Sequence, residues 1–474
     1  MSVESNNNSN VFGHVAAGWE SIRAVFEQNL NEGLDVGASL CIYYRGECVV
    51  NLAGGWKDAK TKQKPYTPDT LQLVFSTSKG IAAAAVALCV EKGWLDYQTP
   101  VAQYWPEFGA NGKQDIPVSD LLAHRAGIPC VDQDLTPADV YDWNKMTSLL
   151  AAQKPYWKPG SGHGYHAYTV GFLVGELIQR VDPQHRSYSQ FVRDELDSEF
   201  YVGIPDDQVE ARVAPLLEKE SNIPAANFPP MEPIVARTIT CSGAFPMQSA
   251  NSEAYFFNDP RLHRAALPAV NGIANAHTMA RIYASLIDDI DENGQKKKCL
   301  LSKKVLALAT ENVTPENEVD QIMFGLASTF ARGGFQLYDN MFNVLSEDAF
   351  GHKGMGGSLA FASPSYHLAF AHICNQLNSS VLAVDPRTLG PDSSGPVDTI
   401  REARGFTAKM YTNEGIWDLV TTSSPGFFIR NPILFPELAR ALKRNPQTNM
   451  KDPNVYWNFV ANHIETVHQA HHYD

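Results

Sequence analysis

The sequence predicts an α/β protein built on one antiparallel sheet that is flanked by helices and interrupted by an inserted helical domain. Strand patterns rich in β-branched and aromatic side chains open the chain at residues 38–44 and 48–53. Residues 96–264 are helical and loop-rich in pattern, and short strand patterns with Gly-rich turns return at residues 324–374. One sheet enclosing a helical insertion is the simplest architecture for this order, with a cleft between the two parts.

Composition and pattern divide the chain into four parts. Residues 1–12 are polar and rich in Asn and Ser, and they are predicted to be a disordered leader. The sheet domain is discontinuous and takes in residues 13–95 and 265–410, on either side of the helical domain at residues 96–264. Residues 411–474 fit neither domain and are predicted to be a C-terminal extension.

The individual elements follow from the spacing of the apolar residues. A helical period predicts helices at residues 15–30, 170–181, 188–195, 274–288 and 303–309. Thr136 followed by Pro137 predicts another helix start, with a capping side chain and Pro at the first helical position. Alternating patterns predict the strands of a closing antiparallel meander at residues 324–330, 334–338, 349–353, 358–363 and 366–374.

Charge and cysteine content limit the class of partner and cofactor. The net charge of −14 argues against nucleic acid or an anionic membrane surface as a partner. The seven cysteines show no C-x-x-C spacing, so neither a disulfide framework nor a zinc site is predicted. His468 and His472 are four residues apart, but they are interpreted as part of a solvated chain end. No metal and no other cofactor is expected.

The sequence also carries an expectation about location. The N-terminal residues lack the charged and apolar regions of a signal peptide, and no apolar run is long enough to cross a bilayer. These features predict a soluble intracellular protein in the cytoplasm, and an oligomer is compatible with them.

Ser76 and Lys79 are the first candidates for chemistry. They are three residues apart, which on a helix puts them on one face, one turn from each other. A serine hydroxyl is a weak nucleophile until a base takes its proton, and a desolvated lysine amine can be that base. An S-x-x-K motif arises easily by chance, so its surroundings decide between a catalytic pair and a serine N-cap with an incidental lysine.

Those surroundings predict a strand that leads directly into a central helix. Residues 71–75 carry a strand pattern, and an alanine-rich apolar run extends from Gly80 to Gly93, which is a natural C-cap. Ser76 is therefore expected in the first turn of that helix. There the helix dipole and free N–H groups stabilise negative charge, as acyl transfer requires.

Five segments together resemble the serine β-lactamase-like superfamily, and most closely its esterase branch, the family VIII carboxylesterases, alongside class C β-lactamases and DD-peptidases. They follow the family's order at residues 74–80 (VFSTSKG), 92–108, 120–129 (DLLAHRAGIP), 159–176 and 351–358 (GHKGMGGS). The resemblance implies a β-lactamase/transpeptidase-like fold. It also implies a serine hydrolase of the esterase type that cleaves a small-molecule ester or amide through an acyl-enzyme.

The resemblance places roles on individual residues. Ser76 matches the acylated nucleophile, Lys79 its general-base partner, and Tyr165 the tyrosine that carries the proton to and from the leaving group. In water an amine and a phenol are both almost fully protonated at neutral pH. Clustered in a partly dry pocket, the two can share a proton and be tuned toward neutrality.

Four further residues are expected around this trio. His352 and Gly354 belong to the strand motif that lines the site, which is Lys-Thr-Gly in β-lactamases. The backbone N–H groups of Ser76 and Met355 would form the oxyanion hole. Gly356 lies in a turn that lets substrate reach the strand edge.

Two departures from the β-lactamase pattern bear on the substrate. The family's Tyr-x-Asn is Tyr165-His166-Ala167 here, so the amide that contacts the substrate side chain is missing. The first Lys of Lys-Thr-Gly is His352, and a histidine is mostly neutral at its ordinary pKa, so it binds a carboxylate less well. Both changes point to esters without a carboxylate rather than to β-lactams.

Several alternatives stay open at the level of sequence. An acyltransferase would use the same site with an alcohol in place of water, and a catalytically idle scaffold or filament subunit would keep the fold for protein contacts. A metallohydrolase is disfavoured because no His-Glu-x-x-His segment exists. His163 and His166 are either loop residues or substrate contacts, and His124 is expected to support the turn at Gly127.

Overall fold

The structure is a computed structural model that describes residues 10–58, 61–218, 231–292, 294–323, 328–338, 346–377, 405–412 and 415–422. The described strands are, in chain order, β1 (Val11–Val15), β2 (Gly37–Tyr44), β3 (Glu47–Gly55), β4 (Gln72–Leu73), β5 (Leu217–Glu218), β6 (Ile273–Ala274), β7 (Ile290–Glu292), β8 (Gln295–Lys297), β9 (Thr329–Phe330), β10 (Gln336–Leu337), β11 (Phe350–Lys353), β12 (Leu359–Ser363), β13 (Leu368–Cys374), β14 (Gln376–Leu377), β15 (Gly405–Thr412) and β16 (Gly415–Thr422).

The described helices are, in chain order, α1 (Glu20–Asn31), α2 (Thr77–Glu91), α3 (Val101–Tyr104), α4 (Val118–Leu122), α5 (Pro137–Tyr141), α6 (Trp143–Ala152), α7 (Thr169–Val181), α8 (Tyr188–Glu195), α9 (Asp207–Glu210), α10 (Pro233–Ile239), α11 (Pro260–Arg264), α12 (Ala276–Ile287) and α13 (Lys303–Ala309). Among the described residues, no helix combines the length and the apolar character needed to cross a membrane.

One eight-stranded sheet organises the molecule. Its strands lie in the order β1-β3-β2-β13-β12-β11-β10-β9, and all neighbouring pairs are antiparallel. The pairing of β2 with β13, from Ala38↔Cys374 to Tyr44↔Leu368, joins the opening strands of the chain to the closing meander. The predicted fold class, a mixed α/β protein with one large antiparallel sheet flanked by helices, is confirmed.

The two faces of the sheet are covered by different helices. Successive side chains of β2 point to opposite faces, and Ile42 packs with Phe26 of α1 while Tyr43 joins the larger core with α2 and α12. On that second face β12 and β13 present small residues such as Ala360 and Ala371, both fully buried. Small side chains let a helix lie close to the strands, so α2 and α12 come to the middle of the protein.

The central helix α2 carries the predicted nucleophile segment at its start. Its residues from Thr77 to Cys89 are all buried, and five alanines in this stretch allow neighbouring elements to approach from every side. At its C-terminal end Gly93 has φ +72°, the left-handed conformation expected of a C-cap glycine. The prediction of a buried helix after Ser76 is confirmed.

Most predicted elements occur close to their expected positions. Helices α8 and α13 have the predicted bounds, and Thr136 caps α5 in a capping box with Asp139. Helices α3 to α11 all lie within the predicted helical insertion at residues 96–264, between β4 and β6. The division into separate domains remains a prediction.

Two predicted boundaries fall inside described strands, and one predicted strand lies partly outside the described residues. Val11 and Phe12 belong to β1, which pairs with β3, so the leader predicted at residues 1–12 is at least two residues too long; residues 1–9 lie outside the described part. Residues 324–327 of the strand predicted at residues 324–330 lie outside the described part, and Thr329–Phe330 form β9. The boundary predicted at residue 410 falls inside β15, which pairs with β16 in an antiparallel hairpin. The rest of the predicted extension, including His468 and His472, lies outside the described residues.

Candidate active site

Ser76 lies at a sharp turn between β4 and α2. The preceding residue, Phe75, has φ +48°, which is strained for a bulky side chain, and its ring packs edge-on against Phe257 at 4.9 Å. Strain of this kind concentrates at functional sites. Ser76 occupies the N-cap position of α2, but its side chain makes no capping hydrogen bond. The interpretation of Ser76 as a structural N-cap is therefore wrong, and its hydroxyl is available for other contacts.

Lys79 is buried directly behind Ser76. Its Nζ lies 3.1 Å from Ser76 Oγ and donates to the carbonyl oxygens of Ala167 at 2.7 Å and Ala269 at 3.0 Å. Burial lowers the pKa of Lys79 well below its usual value. A neutral amine has two protons and one lone pair. The two carbonyl oxygens can accept hydrogen bonds from both N–H groups of the amine. The lone pair is then left to accept a hydrogen bond from the Ser76 hydroxyl.

Tyr165 completes the trio that the sequence predicted. Its ring centroid lies 4.7 Å from Lys79 Nζ, and burial raises the pKa of its phenol while a hydrogen bond with Ser76 lowers it in part. At neutral pH the phenol therefore carries its proton while Lys79 is driven toward its neutral form. The structure thus brings Ser76, Lys79 and Tyr165 together. The neutral amine and the protonated phenol are the protonation states that a general base and a general acid need.

His352 lies beside this trio on β11. It is 2% exposed, its ring centroid is 6.1 Å from that of Tyr165, and its Nδ1 donates to the carbonyl oxygen of Lys353 at 2.7 Å. Burial, and then the nearby Lys79, lower the pKa of His352 to about 3. Its Nε2 has no hydrogen-bond partner among the described residues. The imidazole is therefore neutral, with a buried lone pair on Nε2.

The glycines after His352 bring a turn against the start of α2. A Cβ on Gly354 would lie 2.3 Å from the carbonyl oxygen of Val74, and the Thr77 hydroxyl donates to Ser358 O at 3.2 Å. Gly356 has φ +83°, and a Cβ there would lie 2.3 Å from the Leu377 side chain. Only glycine fits either position. The turn therefore meets the Ser76 segment at Gly354, whereas Gly356 packs against Leu377.

The residues expected at the oxyanion hole lie on either side of this contact. Met355 begins the turn and is 38% exposed, and Ser76 begins α2. Within the described part of the chain, neither of their backbone N–H groups donates to a backbone carbonyl. Both are thus available to a substrate oxygen, although their role remains a prediction.

The histidines near Tyr165 support the loop that carries it. His124 accepts from the His166 N–H at its Nδ1 (3.0 Å) and from the Gly164 N–H at its carbonyl oxygen (3.1 Å). His166 donates from Nδ1 to Gly164 O at 2.6 Å and accepts from the Ile128 N–H at Nε2. Burial lowers the pKa of His166 to about 4 and that of His124 well below its ordinary value. Both rings are structural.

Sequence reasoning missed the side chains on the other side of this loop. His163 lies 2.7 Å from Glu318 Oε1, and Arg125 donates to the same carboxylate at 2.5 Å and to Gly160 O at 2.7 Å. Asp320 accepts the N–H of Tyr165 at 3.0 Å. Glu318 and Asp320 are each 155 residues from their partners in the loop, so no local pattern could have indicated them.

Comparison with known proteins places the larger part of the chain. The sequence profile of the β-lactamase family matches residues 23–390. The esterase/β-lactamase LipL of Mycobacterium tuberculosis is 29% identical over 365 residues, which is 74% of this chain and 79% of LipL. The crystal structure of a family VIII carboxylesterase superposes with a TM-score of 0.69 at 32% identity, covering 80% of this chain and 96% of that protein.

The C-terminal part of the chain is similar to a different protein. The catalase profile matches residues 388–473. The catalase of Drosophila melanogaster is 51% identical over 89 residues, which is 19% of this chain and 17% of that catalase. The chain therefore spans about a sixth of the catalases it matches, and sequence analysis missed this similarity.

The family assignment rests on the whole of residues 23–390. The match at residues 23–390 includes the eight-stranded sheet from β2 onward and the Ser76, Lys79 and Tyr165 trio, and the carboxylesterase is covered almost completely. The chain belongs to the β-lactamase family.

Proposed function

We propose that this protein is a serine hydrolase of the esterase type that acts through an acyl-enzyme on Ser76. The observation that carries the proposal is the 3.1 Å contact between Ser76 Oγ and Lys79 Nζ, with both remaining Nζ contacts made to carbonyl oxygens. This geometry orients the lone pair of a neutral amine toward the nucleophile. LipL and the family VIII carboxylesterase, which are named as esterases, support the same class of reaction.

In the acylation step Lys79 acts as the general base. Its Nζ takes the proton from the Ser76 hydroxyl while Oγ forms a bond to the ester carbonyl carbon, and the carbonyl electron pair moves onto oxygen. The backbone N–H groups of Ser76 and Met355 stabilise that oxyanion, and each donor contributes about 3–4 kcal/mol in comparable sites. As the tetrahedral intermediate collapses, the bond to the alcohol oxygen breaks. Tyr165 gives its proton to that oxygen and is reprotonated from Lys79.

Deacylation repeats these steps with water in place of serine. The water loses a proton to the Tyr165 and Lys79 pair and attacks the acyl carbon, and Ser76 leaves with a proton returned by the same pair. The bond between Oγ and the acyl carbon breaks and a carboxylic acid is released. The two residues thus act as base and acid in turn, as microscopic reversibility requires.

The electrostatics of the site favour an uncharged ester. His352 is neutral because its pKa is lowered to about 3, so it offers no cation to a substrate carboxylate. Arg125 is committed to Glu318 and Gly160, and Ala167 replaces the amide that β-lactamases use. The carboxylate of a β-lactam therefore gains little electrostatic stabilisation in this site. A small neutral ester has no carboxylate and loses no binding energy from the absence of a cation.

The test compares wild type with Ser76→Ala on a short p-nitrophenyl ester and on nitrocefin. We expect the substitution to lower kcat/KM for the ester by about 10⁴-fold or more, because it removes the nucleophile, and we expect little nitrocefin cleavage by either protein. Ser252→Ala, an exposed serine outside the site, is the matched control. Ester hydrolysis that survives in Ser76→Ala would exclude Ser76 as the nucleophile.

An alcohol added to the same assay separates hydrolysis from acyl transfer. If the acyl group passes mainly to the alcohol, the acyltransferase alternative replaces the hydrolase. If neither acid nor transferred ester forms with a range of small esters, the idle scaffold is the better account of the fold.

A further inference from the structure

A buried carboxylate holds the loop that carries Tyr165. Asp320 is 1% exposed and belongs to none of the motifs that define the site. Its Oδ1 accepts the backbone N–H groups of Tyr165 at 3.0 Å, Ile322 at 2.8 Å and Met323 at 2.9 Å. Its Oδ2 accepts the Ser328 hydroxyl at 3.2 Å. Four donors thus satisfy one buried carboxylate, as burial of an unpaired charge would otherwise be costly.

Asp320 is the point where two distant parts of the chain meet. The bonds to Ile322 and Met323 shape its own segment, residues 318–323, whereas the bond to Tyr165 crosses to the catalytic loop. The same two segments are joined again by Glu318 Oε1 to His163 Nδ1 at 2.7 Å and by the Gln321 N–H to His163 O at 3.1 Å. The segment at 318–323 therefore clamps the loop from both sides of Gly164.

The clamp fixes the residue that matters most for proton transfer. The Tyr165 side chain has to stay near both Ser76 and Lys79, and its ring centroid lies 4.7 Å from Lys79 Nζ. The side chain itself is restrained by its hydrogen bond with Ser76 and by packing against His124 at 5.0 Å and Phe330 at 6.4 Å between ring centroids. The Asp320 bond restrains the backbone from which the ring projects.

We propose that Asp320 is a positioning residue that acts on the reaction through Tyr165. The proposal rests on the proposed function of Tyr165 as the proton carrier. Displacing a reacting group by about 1 Å can cost about 100-fold in rate. Loss of the Asp320 carboxylate frees the Tyr165 N–H and two N–H groups of the clamp together, which permits a displacement of that size.

The experiment is a double-mutant cycle on the full chain. Asp320→Ala should lower kcat for a p-nitrophenyl ester about 100-fold with KM changed less than about 3-fold, because substrate contacts are left in place. Asp320→Asn should stay within about 5-fold of wild type, since its amide oxygen still accepts the three N–H groups. In a Tyr165→Phe background, Asp320→Ala should cost less than about 3-fold further, because the group it positions is already gone.

Controls separate positioning from loss of folded protein. All rates are divided by the concentration of folded protein, and Asp206→Ala is the matched substitution, because Asp206 also accepts two backbone N–H groups, those of Gln208 and Val209, at the start of α9. Hydrogen exchange at the Tyr165 amide should be faster in Asp320→Ala and unchanged in Asp320→Asn.

The outcomes are distinguishable. Equal losses from Asp320→Ala with and without the Tyr165 hydroxyl would overturn the positioning role while leaving the proposed function intact. The same holds for full activity of Asp320→Ala, or for unchanged exchange at the Tyr165 amide. If Tyr165→Phe keeps wild-type activity, the proposed function of Tyr165 fails first, and the positioning role fails with it.

Discussion

Residues 23–390 and residues 388–473 differ in how much of a known protein each represents. The first region is 29% identical to LipL but covers 79% of it, and the structural alignment covers 96% of a family VIII carboxylesterase. The second is 51% identical to a catalase but covers 17% of that protein. Identity is therefore higher in the region from which less can be inferred.

More can be inferred from residues 23–390 because that region contains nearly all of its relative's fold, including the elements that build the site. The first region holds seven strands of the eight-stranded sheet, β2, β3 and β9 to β13, with helices on both faces. The site is assembled from α2, the loop before α7, β11 and residues 318–323. In the second, the described part is the hairpin of β15 and β16. A function needs every element that builds its site, so coverage of the fold counts for more than identity.

The comparison predicts that the chemistry depends wholly on the first region. Lys79→Met should lower kcat/KM by about 10²–10⁴-fold, because it removes the base while keeping a side chain of similar length. Ester hydrolysis measures the effect. The burial that lowers the pKa of Lys79 also places the rising limb of the wild-type pH–rate profile well below the pH at which an ordinary lysine loses its proton.

Lys113→Met is the matched control for this prediction. Lys113 is another buried lysine, and its Nζ donates to the carbonyl oxygens of Ala110, Ala151 and Gln153 without a catalytic partner. Its loss should reduce stability but leave the rate per folded molecule unchanged. If both lysine substitutions reduce that rate equally, Lys79 is structural rather than catalytic.

A smaller effect is expected on stability in acid, again from the first region. His124, His166 and His352 are buried and neutral, and the pKa of His166 is lowered to about 4 and that of His352 to about 3. The unfolded chain binds these protons near pH 6.5. Stability is therefore fully present well above that pH and falls below it, by about 2 kcal/mol for each of His166 and His352 between pH 7 and pH 5, and His124 adds to the loss in the same direction.

Urea unfolding followed by tryptophan fluorescence at pH 7 and pH 5 measures this loss. His166→Asn should reduce the change in the free energy of unfolding between the two pH values by about 2 kcal/mol, because one titrating histidine is removed. A chain ending at residue 390 should show the same dependence as the full chain. Stability that does not change between the two pH values would contradict the neutral, buried state of these rings.

The smallest effect is expected from removing the catalase-like region. A chain ending at residue 390 should keep kcat/KM within about 2-fold of the full chain, because all the described residues of the site lie before that point. Ester kinetics and size-exclusion chromatography provide the readouts. A change in oligomeric state would assign an interaction role to the C-terminal region. Decomposition of hydrogen peroxide by the full chain above the rate in buffer would contradict the inference that the chemistry depends wholly on residues 23–390.

Local patterns were sufficient for much of the fold. Alternation predicted the hairpin of β2 and β3 and the closing meander, and the alanine-rich run before Gly93 predicted α2, because these signals depend on neighbours in sequence. Strand β1 was missed because its five residues follow a polar leader and include a glycine. The β15–β16 hairpin was missed because residues 411–474 were assigned by composition rather than by their pattern of apolar residues.

The site was predicted only as far as its motifs reach. Ser76, Lys79 and Tyr165 were found from spacing and from the family resemblance, and the structure brings them together. Asp320 was not found and the roles of His163 and His166 were left open, because the contacts that join Asp320 to Tyr165, Glu318 to His163 and Ile128 to His166 span 38 to 155 residues of chain. Such contacts leave no spacing in the sequence that can be recognised.

The most direct test of the central claim is to trap the acyl-enzyme. The full chain is mixed with p-nitrophenyl butyrate, quenched in acid within the first turnovers, and analysed by intact-protein mass spectrometry and peptide mapping. The account predicts one butyryl group per molecule, located on Ser76 and absent from Ser76→Ala. Ester hydrolysis with no adduct, or with the adduct on another residue, would contradict it.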